Sequence, residues 1–195
     1  PVYSKKQDDP EALHSMARRS IRLSAFVLFP MMAGLAAVAK PLVTLLLTEK
    51  WLVAAPYLVL LSVSYATYPI HIINLQVMNA MGRSDLFLKL ELIKKALGIL
   101  ILVLSLPFGI WPMLLFKVLD EYLCTLINAW PNRRLIGYGP LRQWADVLPS
   151  ALISIVMGVV VYLLQNLSLG ALPLLLLQML VGVLVYLGLS LLLNR

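Results

Sequence analysis

The sequence predicts an all-α fold, a polytopic membrane helix bundle with six transmembrane helices. Three observations lead there. Of 195 residues, 61% are hydrophobic and 13% charged, and the mean hydropathy is +0.90, far above the apolar share of roughly 45 to 50% in soluble domains. The apolar residues gather in six long runs, and six spans of about 20 residues each would fill most of such a chain while leaving room for connections. The basic residues gather in alternate connections, as the positive-inside rule requires of a multi-pass protein. This composition excludes a soluble globular domain, a disordered chain and a disulfide scaffold. Cys124 is the single cysteine, so no internal disulfide forms.

The opening is polar and charged, so it is no signal peptide, and Pro1 in place of Met reads as a start inside a longer protein. Asp9 suits an N-cap with Pro10 at the first helical position, and Ala12, Leu13, Met16, Ala17 and Ile21 follow at helical spacing. Residues 1–22 are therefore expected to form a cytoplasmic amphipathic helix lying in the interface, with Arg18, Arg19 and Arg22 among lipid headgroups. These arginines read as an orientation anchor, with recruitment of a lipid substrate as the alternative.

Residues 23–195 hold the six spans. The first, 23–47, would measure about 37 Å against a hydrocarbon core of about 30 Å, so it tilts or bends. Pro30 and Pro41 are the expected bend points. Ala33, Gly34, Ala36, Ala37 and Ala39 make a thin stretch suited to close helix contact. Lys40, about 10 Å from the outer end of its span, either snorkels to the interface or offers a cation to an outer cavity.

The second span, 52–80, places Ser64, Thr67, Tyr68, His71, Asn74 and Asn79 within an arc of about 140°. Such a stripe reads as the lining of a cavity, and its hydroxyls, amides and phenol suit weak, reversible binding of sugars or headgroups. His71 alone would read as a hydrogen-bonded packing residue.

The third and fourth spans, 90–106 and 112–130, meet across Pro107-Phe108-Gly109-Ile110-Trp111-Pro112, whose two prolines and glycine mark a turn. Splitting the chain there puts 13 of the 16 Lys and Arg on one side, from Lys5 and Lys6 through Arg83, Lys94 and Arg133 to Arg195, and makes both termini cytoplasmic. The fourth span carries Lys117, Asp120 and Glu121 near its middle, at a cost of about 3 kcal/mol each in hydrocarbon. Its eight strongly apolar residues return only about 0.5 kcal/mol each. Lys117, Asp120, Glu121, Cys124 and Asn128 fall within an arc of about 100°, so this stripe must face protein or a watery cavity. The trio reads either as an ion pair joining helices or, because two acids face one base, as a proton or cation coupling site.

The fifth and sixth spans, 147–164 and 172–193, are apolar throughout. The expected outer links are Thr48 to Trp51, Pro107 to Trp111 and Gln165 to Ala171. Gly82 suits a left-handed helix end, Ser84 or Asp85 a cap for the next helix, and Arg83 either an orientation charge or a cytoplasmic entrance contact for a diphosphate. The chain has no phosphate-cradling glycine loop, H-E-x-x-H or nucleophile elbow, and neither His14 nor His71 has ligands at metal spacing. No enzyme activity, catalytic residue, cofactor, metal or nucleic-acid partner is expected. Asn166-Leu167-Ser168 matches a glycosylation sequon by chance.

Two stretches resemble a known family. One runs from Phe29-Pro30 through Gly34-Leu35 and Pro41-Leu42-Val43 to Leu45-Leu46-Leu47-Thr48-Glu49-Lys50-Trp51. The other is Asn74 followed by Asn79-Ala80-Met81-Gly82-Arg83-Ser84-Asp85-Leu86-Phe87-Leu88-Lys89. Both resemble bacterial polysaccharide-biosynthesis flippases of the Wzx type, particularly the colanic acid exporter branch. Together they cover about the first half of the chain. The resemblance implies membership of the multidrug, oligosaccharidyl-lipid and polysaccharide exporter superfamily. The chain would form most of the second lobe of a two-lobed transporter, with the N-terminal lobe and membrane lipid as its partners. It implies a place in the bacterial inner membrane, and flipping of undecaprenyl-diphosphate-linked oligosaccharide, as in lipopolysaccharide or exopolysaccharide synthesis, by alternating access. Lys117, Asp120, Glu121, Asn128, Thr67, Tyr68, His71 and Asn74 would then line the path, with Arg83 at the entrance and Lys40 in the outer cavity. A multidrug exporter of the same superfamily, an integral membrane enzyme acting on polyprenyl phosphate and a non-transporting scaffold subunit are the alternatives.

Overall fold

The computed structural model describes residues 9–193; Lys5, Lys6 and Arg195, assigned above to the cytoplasmic side, lie outside them. The described residues are helical with no strand. In chain order the α-helices are α1 (Pro10–Ala37), α2 (Ala39–Leu47), α3 (Ala55–Tyr65), α4 (Tyr68–Ala80), α5 (Ser84–Ser105), α6 (Ile110–Ala129), α7 (Asn132–Leu135), α8 (Pro140–Leu163) and α9 (Ala171–Leu193). Short 3-10 turns cover Glu49–Ala54, Leu106–Phe108 and Leu164–Asn166.

Among the described residues, four stretches are long and apolar enough to cross a membrane: Pro10–Ala37, Glu49–Ala80, Pro140–Asn166 and Ala171–Leu192. The sequence led to six. The two that fall short, α5 and α6, are 22 and 20 residues long, and what separates them from the others is charge. Asp85, Lys89, Glu91, Lys94 and Lys95 lie on α5, and Lys117, Asp120 and Glu121 on α6.

Proline chemistry explains where the long runs break. Pro41 has no N–H to donate to the carbonyl four residues back, and the helix is interrupted at Val38, between α1 and α2. Pro30 lies inside α1 without ending it. The expected second span is two helices, broken at Ala66 and Thr67 just ahead of Pro69. The expected turn after the third span is present: α5 ends at Ser105, Gly109 takes φ 88°, and α6 begins at Ile110, so Pro112 falls inside the helix.

Gly82, at φ 68°, ends α4. The Arg83 N–H bonds the Met78 carbonyl at 3.0 Å and the Gly82 N–H the Asn79 carbonyl at 3.1 Å, the paired bonds of a Schellman end. Neither Ser84 nor Asp85 caps α5; the cap position is Arg83, with no side-chain cap bond.

The chain divides into two compact units, one comprising the chain up to Ala25 with Thr67–Leu148, the other Phe26–Ala66 with the chain from Pro149 onward. In the first, the Asp9 carboxylate accepts from the Ala12 N–H at 2.9 Å and caps α1 as expected. The start of α1 differs from the interfacial helix the sequence led to. Leu13, Ala17 and Ile21 are almost completely buried, so protein rather than lipid covers the apolar face. No helix end falls at Arg22, because α1 runs from Pro10 on to Ala37. Arg18 is held by Asp146 through two bonds of 2.8 Å.

In the second unit, Ala37, Val38, Ile153, Met157, Val161, Leu175 and Tyr186 form the core. The small residues act as expected: a Cβ on Gly158 would stand 3.5 Å from both Cβ and the carbonyl oxygen of Ala33, so α1 and α8 meet almost backbone to backbone. The Tyr186 hydroxyl donates to the Phe26 carbonyl at 2.6 Å and Gln178 Nε2 to the Val161 carbonyl at 3.0 Å. An apolar groove of about 510 Å³ opens between α1, α8 and α9 beside Gly34, Met157 and Gly182.

Candidate functional site: a polar ladder and a charged group on α6

The helix periodicity that puts Thr67, His71 and Asn74 on one face of α4 also lines up Thr125, Asn128 and Asn132 along α6 and α7. The structure brings the two rows together in the first unit. The Thr125 and Thr67 hydroxyls lie 3.3 Å apart, Asn128 Nδ2 lies 2.9 Å from His71 Nδ1, and Asn132 Nδ2 donates to Asn74 Oδ1 at 2.6 Å. Residue numbers rise together on both sides, so α4 and α6 pack in parallel. An amide nitrogen only donates, so the His71 contact in this orientation makes Nδ1 the acceptor and puts the ring proton on Nε2.

The ladder is unequally wet. Thr67, Asn74 and Asn128 are fully buried and His71 is half-buried. Tyr68 is exposed, its ring stacked on His71 at 6.3 Å. Asn74 sits in a closed amide cluster: its Nδ2 donates to Gln143 Oε1 at 2.8 Å and its Oδ1 accepts from Gln143 Nε2 at 2.8 Å. The side-chain oxygens of Asn128 and Asn132 are buried without a hydrogen bond, a costly state in a medium of low dielectric.

Along α6 from the ladder lies the charged group. Lys117 Nζ reaches Asp120 Oδ2 at 3.3 Å and Glu121 Oε1 at 2.6 Å. Asp120 is buried, Glu121 partly so, and Lys117 is half exposed. Cys124 Sγ points at Asp120 Oδ1 from 3.7 Å.

Two members of this region were not read from the sequence. Lys94 is 7% exposed and paired with Glu91 on α5, although charge counting assigned it to the cytoplasmic side. Gly98, one turn on from Lys94, turns the same face of α5 onto α6, where a Cβ would stand 3.7 Å from Asp120 Oδ2. Glu91, Lys94 and Gly98 recur at three and four residues, a spacing that places them on one stripe.

The remaining expected residues stand elsewhere. Arg83, on the exposed start of α5, makes two bonds to Asp85 of 3.0 and 3.1 Å. These bonds hold the Asp85 carboxyl at about 2. Lys40 is exposed on α2 in the second unit. Ser64 bonds the Leu60 carbonyl of its own helix at 3.1 Å, and Asn79 is exposed.

Residues 1–56 match a family described as "Polysaccharide biosynthesis protein", and the match includes the Phe29 to Trp51 stretch. Over 129 residues the chain is 29% identical to an "Uncharacterized membrane protein in cps region" of Klebsiella pneumoniae. That alignment takes in 66% of the chain and 26% of the relative, so the chain spans about a quarter of the relative's length. No solved structure matches the chain. Several apolar helices and a membrane relative make this a membrane protein of multi-pass type, and its N-terminal quarter carries the likeness to polysaccharide biosynthesis proteins.

Proposed function

We propose that the chain is part of a flippase that carries a lipid-linked oligosaccharide, an undecaprenyl-diphosphate-linked polysaccharide repeat unit, across the bacterial cytoplasmic membrane by alternating access. In this reading residues 90–106 and 112–130, mostly on α5 and α6, are membrane spans as well, both termini of the segment are cytoplasmic, and the rest of the protein supplies the other lobe. The protein is a transporter without catalytic residues. The carrying observation is the α6 stripe. Lys117, Asp120 and Glu121 form a two-acid, one-base group within a hydrophobic helix, and such groups in a membrane mark ion and substrate paths. The polysaccharide-biosynthesis likeness supplies the substrate class. A hydrophilic glycan crosses at low cost only where polar groups replace water along the way, while the polyprenyl tail stays in lipid.

The half-exposed Lys117 faces the path and attracts the diphosphate. Glu121 carries the surplus negative charge that couples an ion to movement. Complementation of an export-deficient strain with the full-length protein tests this. Glu121→Gln should lower export and accumulate lipid-linked repeat units while protein abundance in the membrane stays normal. Normal export across pH by Glu121→Gln and by Lys117→Gln would overturn the reading.

A further inference from the structure

The stretch from Asn132 to Asp146 in the first unit holds three arginines, Arg133, Arg134 and Arg142, against one acid, Asp146. Asp146 accepts both arms of the Arg18 guanidinium at 2.8 Å and the Tyr138 hydroxyl at 2.9 Å, with Arg22 at 3.9 Å. That carboxylate is committed. Arg142, one turn ahead of Asp146 on α8, reaches the Gly137 carbonyl at 3.4 Å. Arg133 lays its stem across Gly139, where a Cβ would stand 2.9 Å from Arg133 Cβ. Both arginines are exposed, and no carboxylate lies within salt-bridge distance of either among the described residues.

Leu141 lies beside them and is 86% exposed, more than any other large hydrophobic residue described. A free anion gains nothing from a bare leucine. An amphiphile does, and the apolar run of α8 begins within two turns of this point, at Val147. We propose that Arg133, Arg142 and Leu141 form a docking surface for an anionic phospholipid, with the guanidinium groups on its phosphate and Leu141 among its glycerol and upper acyl carbons. The surface uses none of the ladder's side chains, although Arg133 and Arg142 adjoin Asn132 and Gln143 in the chain, and it stands whether or not the flippase reading does.

The test uses the full-length protein in nanodiscs of phosphatidylcholine with a rising fraction of phosphatidylglycerol, reading retained lipid by native mass spectrometry. Wild type should retain phosphatidylglycerol in preference, and Arg133→Gln with Arg142→Gln should cut that preference by about fivefold per arginine. Leu141→Ser, which leaves both charges in place, should lower it as well. Inorganic phosphate should bind to neither form. An unchanged preference in the double variant overturns the surface. Inorganic phosphate binding that the double variant abolishes overturns the lipid in favour of a free anion. If the double variant loses helicity by circular dichroism, Leu141→Ser decides, and an unchanged preference there overturns the proposal.

Discussion

Asn128 Nδ2 stands 2.9 Å from His71 Nδ1, and this contact is the middle rung between two parallel helices. It joins a fully buried amide to a half-buried ring that an exposed tyrosine covers. The amide end is enclosed in protein and the ring end is only half-buried.

Removing either partner should therefore weaken α4–α6 packing by a modest, shared amount. A double-mutant cycle of His71→Ala and Asn128→Ala should give a coupling of about 0.6 kcal/mol and no more than about 1.7, the range of hydrogen bonds between membrane helices. Unfolding in mixed micelles measures it. A coupling of zero would mean that the rung makes no contribution.

Asn74 should behave differently, because two other amides, Gln143 and Asn132, bond its side chain. Asn74→Leu removes the donor to the buried Gln143 Oε1, at about 1 to 3 kcal/mol for that stranded group, and also the second acceptor of Gln143 Nε2 and Asn132 Nδ2, which keep only the Tyr138 and Asn74 backbone carbonyls. The expected result is a protein much less stable than His71→Ala in the same unfolding assay.

Glycine packing in the second unit gives a graded test. Gly158→Ala should be tolerated, since its Cβ would lie at an ordinary 3.5 Å from Ala33. Gly158→Leu should cost about 1 to 3 kcal/mol through overpacking between α1 and α8. Thermal unfolding of the two variants side by side reads the difference.

A pH prediction comes from Asp85. The Arg83 side chain bonds it and holds it at about 2. A carboxyl depressed on folding adds stability above its unfolded value, and that contribution disappears as pH falls through the folded one. The Arg83–Asp85 pair should hence persist at pH 4 and open only near pH 2. Arg83→Gln should return the Asp85 titration, followed by carboxyl NMR, to the ordinary aspartate range.

Much of this was legible in the sequence because membranes and helices impose strong periodic rules. The Asp9 cap, the left-handed Gly82, the break at Gly109 and the close approach at Ala33 each follow from local chemistry. The polar faces of α4 and α6 were visible as arcs, but their pairing was not. No local rule says that Thr67 meets Thr125 or that Gln143 closes around Asn74. The burial of Lys94 was not legible, because charge counting assigns a lysine to a side of the membrane and says nothing of whether it packs against protein. The Ala66–Thr67 interruption did have a signal, Pro69, which the length of the apolar run concealed.

That interruption bears on hydrophobic mismatch. Glu49–Ala80 is 32 residues long, about 48 Å if it were one straight rod, against a bilayer interior of about 30 Å. A rigid rod of that size could fit only by steep inclination or by thickening the surrounding lipid. The break ahead of Pro69 removes that demand, because neither α3, at 11 residues, nor α4, at 13, is long enough to impose it alone.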